Sequence, residues 1–315
     1  MCGFDEEPGK RTMMKTLFNI GVFVLFSNIV LSGCLTQQLK NQGETIGFIQ
    51  QLVNDASVGD TVFIPNGVYV ENVIVNKSIN LVGEQRNATV IIGTGEATVL
   101  ITADNCTLMG FTMKTSTGLS LDTKGVCVLS NNNVVVNNTI INHTWGVFLE
   151  SSSKGNIISG NMLLNNSYGI FLLHSSSNSI LRNNVESCSR DGLKIVSQSN
   201  SNTVDGNNIS LCGGSGVYIT TSFWNKISGN TFFGNHVGVR ICCGAFNNTV
   251  SGNVFNGNTH WQAYDSCGNK WDDGETGNFW GDYVGVDKDD DGIGDTPYLV
   301  VGGSHDRFPL MKPFG

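Results

Sequence analysis

Apolar and polar positions alternate with a period of two through most of this chain. Early examples are Thr61-Val-Phe-Ile64, Gly67-Val-Tyr-Val70, Val73-Ile-Val75 and Ile79-Asn-Leu-Val82, divided by Pro65-Asn66-Gly67 and Asn76-Lys77-Ser78. This spacing predicts short β-strands separated by tight turns. From Asn132 to Asn269 the alternation becomes a repeat. Asn132-x-Val134-x-x-Asn137 returns as Asn156-x-Ile158-x-x-Asn161, Asn178-x-Ile180-x-x-Asn183, Asn202-x-Val204-x-x-Asn207, Asn225-x-Ile227-x-x-Asn230 and Asn248-x-Val250-x-x-Asn253, every 22 to 24 residues. A second phrase, Gly followed by apolar-x-apolar, keeps step with it at Gly146, Gly169, Gly192, Gly216 and Gly238. Residues 90–130 are less regular, although Asn105 to Met113 lies on the register of Asn132 to Ile140.

A fixed period of this length means stacked supersecondary units. With period-two units, no helical half and no Leu-rich consensus, the expected fold is all-β: a parallel β-helix, capped by a short N-terminal helix and an irregular C-terminal segment. In such a solenoid, equivalent residues of successive turns lie about 4.8 Å apart. Val147, Ile170, Leu193, Val217 and Val239 are then expected to form one inward stack, and Leu149, Leu172, Ile195, Ile219 and Ile241 the next. Each buried aliphatic contributes roughly 1.5–3 kcal/mol. The recurring Asn are expected to turn inward at bends, where each amide can bond the turn above and the turn below. The repeat Gly suits a corner needing positive φ or no Cβ.

The ends read differently. Ile46, Ile49, Leu52, Val53 and Ala56 fall at helical spacing and predict a helix that plugs the first coil. Upstream, residues 1–12 carry acids where a signal peptide has none, so translation is expected to begin at Met13 or Met14, and residues 13–34 fit an exported signal. Residues 35–43 then form a tether, 44–268 the β-helix with its cap, and 269–315 a C-terminal cap. Trp271, Phe279, Trp280, Tyr283, Phe308, Pro309 and Leu310 supply the apolar surface to close the last coil.

The formal net charge of -8, without a Lys/Arg cluster, argues against nucleic acid as a partner. Chemistry-bearing residues are sparse. Glu150, Glu186, Asp191, Asp205 and Asp265 share no column, so no paired-carboxylate or acid–base cluster is recognisable and no catalytic residue is assigned. The five histidines, His143, His174, His236, His260 and His305, are expected in different columns, without convergence on a metal. Cys188 and Cys212 each precede the repeat Gly by four residues. They form either a disulfide between adjacent coils or a buried thiol pair replacing Asn142 and Asn165. Cys243 and Cys267, each followed by Gly, are a second candidate pair.

Two stretches offer ligand sites. Between the two inward stacks, the outward positions read Cys127, Phe148, Phe171, Lys194, Tyr218 and Arg240. Aromatics in line with two cations can stack on pyranose faces and pair with uronate carboxylates. The competing reading is a covered or merely stiffening stack. Near the C-terminus, Asp287-x-Asp289-x-Asp291-Gly292-x-x-Asp295 has the spacing of a calcium loop, with the Ile293 carbonyl at its seventh position and Tyr298 where an EF-hand has Glu. It resembles the short loops of dockerin and thrombospondin type 3 repeats.

The repeats resemble the right-handed parallel β-helix of the pectin-lyase-like superfamily, with its carbohydrate-binding proteins and sugar hydrolases. The opening coils, GDTVFIPNGVYVENVIVNKSINLVGE, and the closing series GNFWGDY, DxDxDGIGDTPY and DRFPLM are similar to NosD-type periplasmic copper-binding proteins. That resemblance implies a binding or scaffold protein of the cell envelope, with copper as a cofactor and a transporter as associate. Leu31-Ser32-Gly33-Cys34 resembles a prokaryotic lipobox, which implies acylation of Cys34 and a lipid anchor on the outer face of the cytoplasmic membrane. Three functions follow: a non-catalytic envelope protein binding polysaccharide or a protein partner; a calcium-dependent lyase, hydrolase or epimerase of acidic polysaccharide; or a structural adhesion protein.

Overall fold

The computed structural model describes residues 46–116 and 122–313. The proposed start, the signal segment with Cys34 and the tether all lie outside these residues. The chain winds as a right-handed parallel β-helix of about nine turns, three strands to a turn. The first sheet runs from Thr61–Ile64 to Thr249–Ser251, the second from Gly67–Val70 through Val254–Asn256 to Phe279–Trp280, and the third from Val73–Val75 to Trp261–Asp265. Parallel pairing thus continues in the second sheet as far as Trp280.

Register follows the repeat. Val147, Ile170, Leu193, Val217 and Val239 stack as Cα partners, as do Leu149, Leu172, Ile195, Ile219 and Ile241, and all are fully buried. Leu163, Val185, Ile209, Phe232 and Phe255 fill the same core from the second sheet, and Ile158, Ile180, Val204, Ile227 and Val250 from the first. Asn105 to Met113 joins on the expected register, with Leu108 opposite Val135 and Met113 opposite Ile140.

Two corners are held by asparagine ladders. One comprises Asn133, Asn156, Asn178, Asn202, Asn225, Asn248 and Asn269; the other, Asn138, Asn161, Asn183, Asn207, Asn230, Asn253 and Asn278. Each Oδ1 accepts both the backbone N–H and the Nδ2–H of its predecessor, as Asn183 does from Asn161 at 3.0 Å twice. Most Nδ2 groups in turn donate to a core-side carbonyl, Ile158 O at 2.8 Å for Asn183, while that of Asn133 donates to Ser130 Oγ at 2.9 Å. Buried polar groups are thereby paired without water. The first repeat corrects the expectation: Asn132 and Asn137 are turn residues at φ 57° and 54°, and the ladder members are their neighbours Asn133 and Asn138.

Both ladders end on buried aspartates. Asp265 accepts from Asn269 N and Nδ2 (2.7 and 2.9 Å) and from Trp271 Nε1 (3.1 Å), and Asp306 accepts from Asn278 N and Trp280 Nε1 (2.7 and 2.9 Å). Trp271 and Trp280 close the core, Trp280 stacking on Phe255 at 4.5 Å. At the other end the helix Phe48–Asp55 buries Ile49 and Val53. Glu71 binds its first turn, accepting from Ile49 N and Gln50 N at 3.0 Å each, a carboxylate where the helix dipole favours one. Gly146 has no positive φ; it is needed because a Cβ there would lie 2.5 Å from the Gly169 carbonyl.

Candidate functional site

The outward column of the third sheet is in register over seven turns. Cys127, Phe148, Phe171, Lys194, Tyr218, Arg240 and Tyr264 are successive Cα partners. Because each strand is pleated, a column flanked by the two inward stacks must face away from the core. Phe148 and Phe171 lie 5.4 Å apart. Lys194 Nζ sits 5.8 Å from the Phe171 ring and 4.9 Å from that of Tyr218, and the Arg240 guanidinium 5.1 Å from Tyr218 and 5.8 Å from Tyr264. Cations and rings therefore alternate over the C-terminal half of the face, Lys194 also reaching the Tyr168 ring at 5.2 Å.

A flanking column widens the face. Trp145 and Tyr168 are Cα partners just before the repeat Gly; Tyr168 meets Phe171 edge-on at 5.4 Å and receives a hydrogen bond from Arg190 at 3.3 Å. Asp191 is buried, accepts the Ser215 N–H at 2.8 Å and lies 3.7 Å from Lys194 Nζ. Burial pushes its carboxyl above the usual range, against the pull of the Ser215 N–H and Lys194. At the N-terminal end Lys124 is ion-paired with Glu96 and lies over Trp145 and Phe148. Positive charge is thus neutralised near Phe148, while further along Lys194 and Arg240 act on one buried aspartate and Arg190 turns to the Tyr168 hydroxyl. Burial, then contact of its hydroxyl with Cys242 Sγ at 3.4 Å, raises the Tyr218 phenol, which stays a neutral hydrogen-bonding group.

Tyr264 was hidden in the sequence because Gln262 stands where its turn should have the repeat Gly. Trp145 and Tyr168 were missed because they precede that Gly, although both are aromatic one residue before it. The cysteines also need correction. Cys188 and Cys212 replace not Asn142 and Asn165, which lie in exposed left-handed turns, but the buried positions of His143 and Asn166. Contact between the two thiols, then burial, raises Cys188 well above its ordinary value, keeping it protonated. Cys243 Sγ lies 2.7 Å from Cys242 Sγ, so the thiol it meets is its neighbour in sequence. His236 and His260, expected in different columns, are stacked at 5.0 Å and 5°.

The second expected site is a surface loop. Asp287, Asp289 and Asp291 bring carboxylate oxygens within 4.8 Å of one another. Repulsion from Asp291 leads the causes that raise Asp289. For Asp287, desolvation is outweighed by the backbone N–H groups of Gly292, Asp290 and Asp291, which hold it low. Asp295 Oδ2 accepts from Lys288 N at 3.1 Å, and Ile293 N donates to Asp291 at 2.8 Å; neither Ile293 nor Asp295 belongs to the three-carboxylate group.

A profile described as periplasmic copper-binding protein (NosD) matches residues 53–285, most of the chain. The chain belongs to the NosD family. A probable ABC transporter binding protein NosD from Pseudomonas aeruginosa is 33% identical over 86 residues, 27% of this chain and 20% of that protein. The match therefore spans a fifth of the relative's length. Among solved structures, ORF18 of Geobacillus virus E2 superposes with TM-score 0.52 at 15% identity, over 81% of this chain and 64% of that one. The catalytic unit of a GH87 alpha-1,3-glucanase from Streptomyces thermodiastaticus gives 0.50 at 15% identity, over 73% and 61%. These likenesses, at 15% identity, show the parallel β-helix fold alone and nothing about chemistry.

Copper, named in the family's description, has no matching donor set among the described residues. Copper favours imidazole and sulfur, whereas the one group of three convergent ligands is all carboxylate oxygen. His143 directs Nε2 at Thr98 Oγ1, 3.0 Å away, inside the core. The His236 and His260 rings lie face to face rather than converging, and Cys242 with Cys243 makes a pair.

Proposed function

We propose that this NosD-family β-helix is a non-catalytic binding protein of the cell envelope, exported and anchored through Cys34, whose third-sheet face takes an acidic polysaccharide. The observation that carries the reading is the alternation Phe171, Lys194, Tyr218, Arg240, Tyr264, repeated at the turn spacing. Rings offer flat surfaces to pyranose units, the cations between them pair with carboxylates, and an extended chain lies along the rod. The charge balance agrees: Arg190, Lys194 and Arg240 gather on one face of a chain whose net charge is -8, which steers an anionic ligand there. Calcium held by Asp287, Asp289 and Asp291, with Asp295 and the Ile293 carbonyl completing the shell, orders the C-terminal loop.

A glycan array probed with the protein in the presence of calcium, read with product analysis, tests the proposal. Uronate-containing glycans are expected to bind unaltered, and Lys194→Ala with Arg240→Ala to abolish that binding. Cleavage or epimerisation of the glycan would make the face an active site, and silence toward all acidic glycans would remove the reading.

A further inference from the structure

The corner that follows the third sheet carries rings that neither the ladder nor the core uses. From Asn132 onward this corner holds one residue per turn in the left-handed region: Asn132 (φ 57°), Gly155 (68°), Ser177 (57°), Ser201 (56°), Trp224 (55°) and Asn247 (61°). Glycine and asparagine suit such a position, serine is small, and a bulky side chain is disfavoured. Trp224 nevertheless occupies it and is 61% exposed, so the indole is not there to fill the interior. Its ring lies 5.8 Å from Phe223, which lies 4.6 Å from Phe246, itself 48% exposed. Three rings thus share one surface across two turns. On preceding turns the same corner is Lys154-Gly155, Ser176-Ser177 and Asn200-Ser201.

Three rings fall well short of a specific protein interface, to which each partner contributes about 20–30 residues. The patch does match one or two sugar rings, because neighbouring turns are separated by about 4.8 Å, close to the width of a pyranose. Its rim is polar, with Asn200 accepting the Phe223 N–H at 2.8 Å and Lys226 and Asn247 exposed beside it. The C–H face of a pyranose meets the electron-rich face of an indole or phenyl ring favourably, while its hydroxyls meet the rim. We infer that Phe223, Trp224 and Phe246 form a stacking platform for a pyranose, a saccharide subsite separate from the charged third-sheet ladder. It does not depend on the ladder being a binding face, and the two can fail independently.

Trp224 is itself the reporter. The full chain is titrated with cellohexaose, xylohexaose, chitohexaose and hexagalacturonate while tryptophan fluorescence is followed. At least one hexamer is expected to give a saturable change. Trp224→Asn is expected to weaken binding of that hexamer, measured by calorimetry, by roughly tenfold or more, and to leave the thermal midpoint unchanged or raised, since Asn holds the same φ at Asn132 and Asn247. Phe246→Ala weakens it less, and Lys194→Ala leaves binding of a neutral hexamer intact. A fall of the midpoint in Trp224→Asn would mark the ring as structural and overturn the inference. So would the absence of a saturable response to all four hexamers, or equal affinity of the Asn variant. If the hexamers are silent while Trp224→Asn removes a cross-link to an envelope protein in intact cells, the patch is a protein contact instead.

Discussion

The same turn-to-turn translation builds two ladders with opposite characters. Inside, the asparagine ladder repeats one residue, each amide bonded to the next turn and most also to a core-side carbonyl, until it ends on Asp265 or Asp306. Outside, on the third sheet, residue type changes at almost every step, from Phe171 to Lys194, Tyr218, Arg240 and Tyr264. The inner ladder has every donor satisfied within the chain. The outer one has rings and cations half-exposed and arranged along a line. Uniform stacking serves the rod, and varied stacking leaves chemistry at its surface.

That contrast breaks most sharply at Asn183. Asn183→Ala removes the acceptor shared by Asn161 N and Nδ2 and one donor to the Ile158 carbonyl, so it is expected to lose about 3 to 5 kcal/mol in a urea titration. Phe171→Ala, at the same height outside, is expected to cost about 1 kcal/mol. Equal losses would erase the distinction.

Next in size is the imidazole in the third corner. His143 takes a ladder position, its N–H bonded to Asn166 Oδ1 at 2.9 Å, and burial pushes its pKa down to about 4, the Ile141 carbonyl opposing. The unfolded chain therefore binds this proton first as pH falls. The stability present at pH 7 is expected to drop by roughly 3 kcal/mol between about pH 6.5 and 4, and His143→Asn to flatten that decline. Asp265 carries its own acid dependence. Desolvation opposes its ionisation, but hydrogen bonds from Ser304, Cys267, Trp271 and Asn269 outweigh it and hold the carboxyl low, so its contribution persists until pH falls through that lowered value. A smaller effect is expected from calcium, whose removal by a chelator lowers the thermal midpoint by about 5 °C, a difference that Asp289→Asn abolishes. Smallest in stability, within about 0.5 kcal/mol, is Arg240→Ala, since its guanidinium is exposed; its effect is expected in ligand affinity and salt dependence.

Much of the fold was legible because period-two strands, the Gly phrase and the Asn phrase each constrain the same register. The apolar stacks from Val147 to Val239 follow from spacing alone. Where spacing was degenerate, the reading slipped by one. Asn131, Asn132 and Asn133 are consecutive, as are Asn137 and Asn138, and only the hydrogen bonds to Asn156 and Asn161 decide which member turns inward. The outer column was legible as far as Arg240 and lost at Gln262, which hid both Tyr264 and the stacking of His236 on His260. Trp224 carried no periodic signal at all; its meaning comes from a backbone angle and an exposure. What covers or occupies the third-sheet face depends on a second molecule, which spacing within one chain does not encode.

The division of labour proposed for the rod is that its outer ladder binds while its inner ladder holds. Calorimetric titration of hexagalacturonate into the wild type and the Lys194→Ala, Arg240→Ala double variant, with both thermal midpoints recorded, tests it most directly. Saturable binding that weakens at least roughly tenfold in the double variant, at an unchanged midpoint, is expected. Equal affinity in the two proteins, or a loss that tracks a collapse of the midpoint, would contradict it.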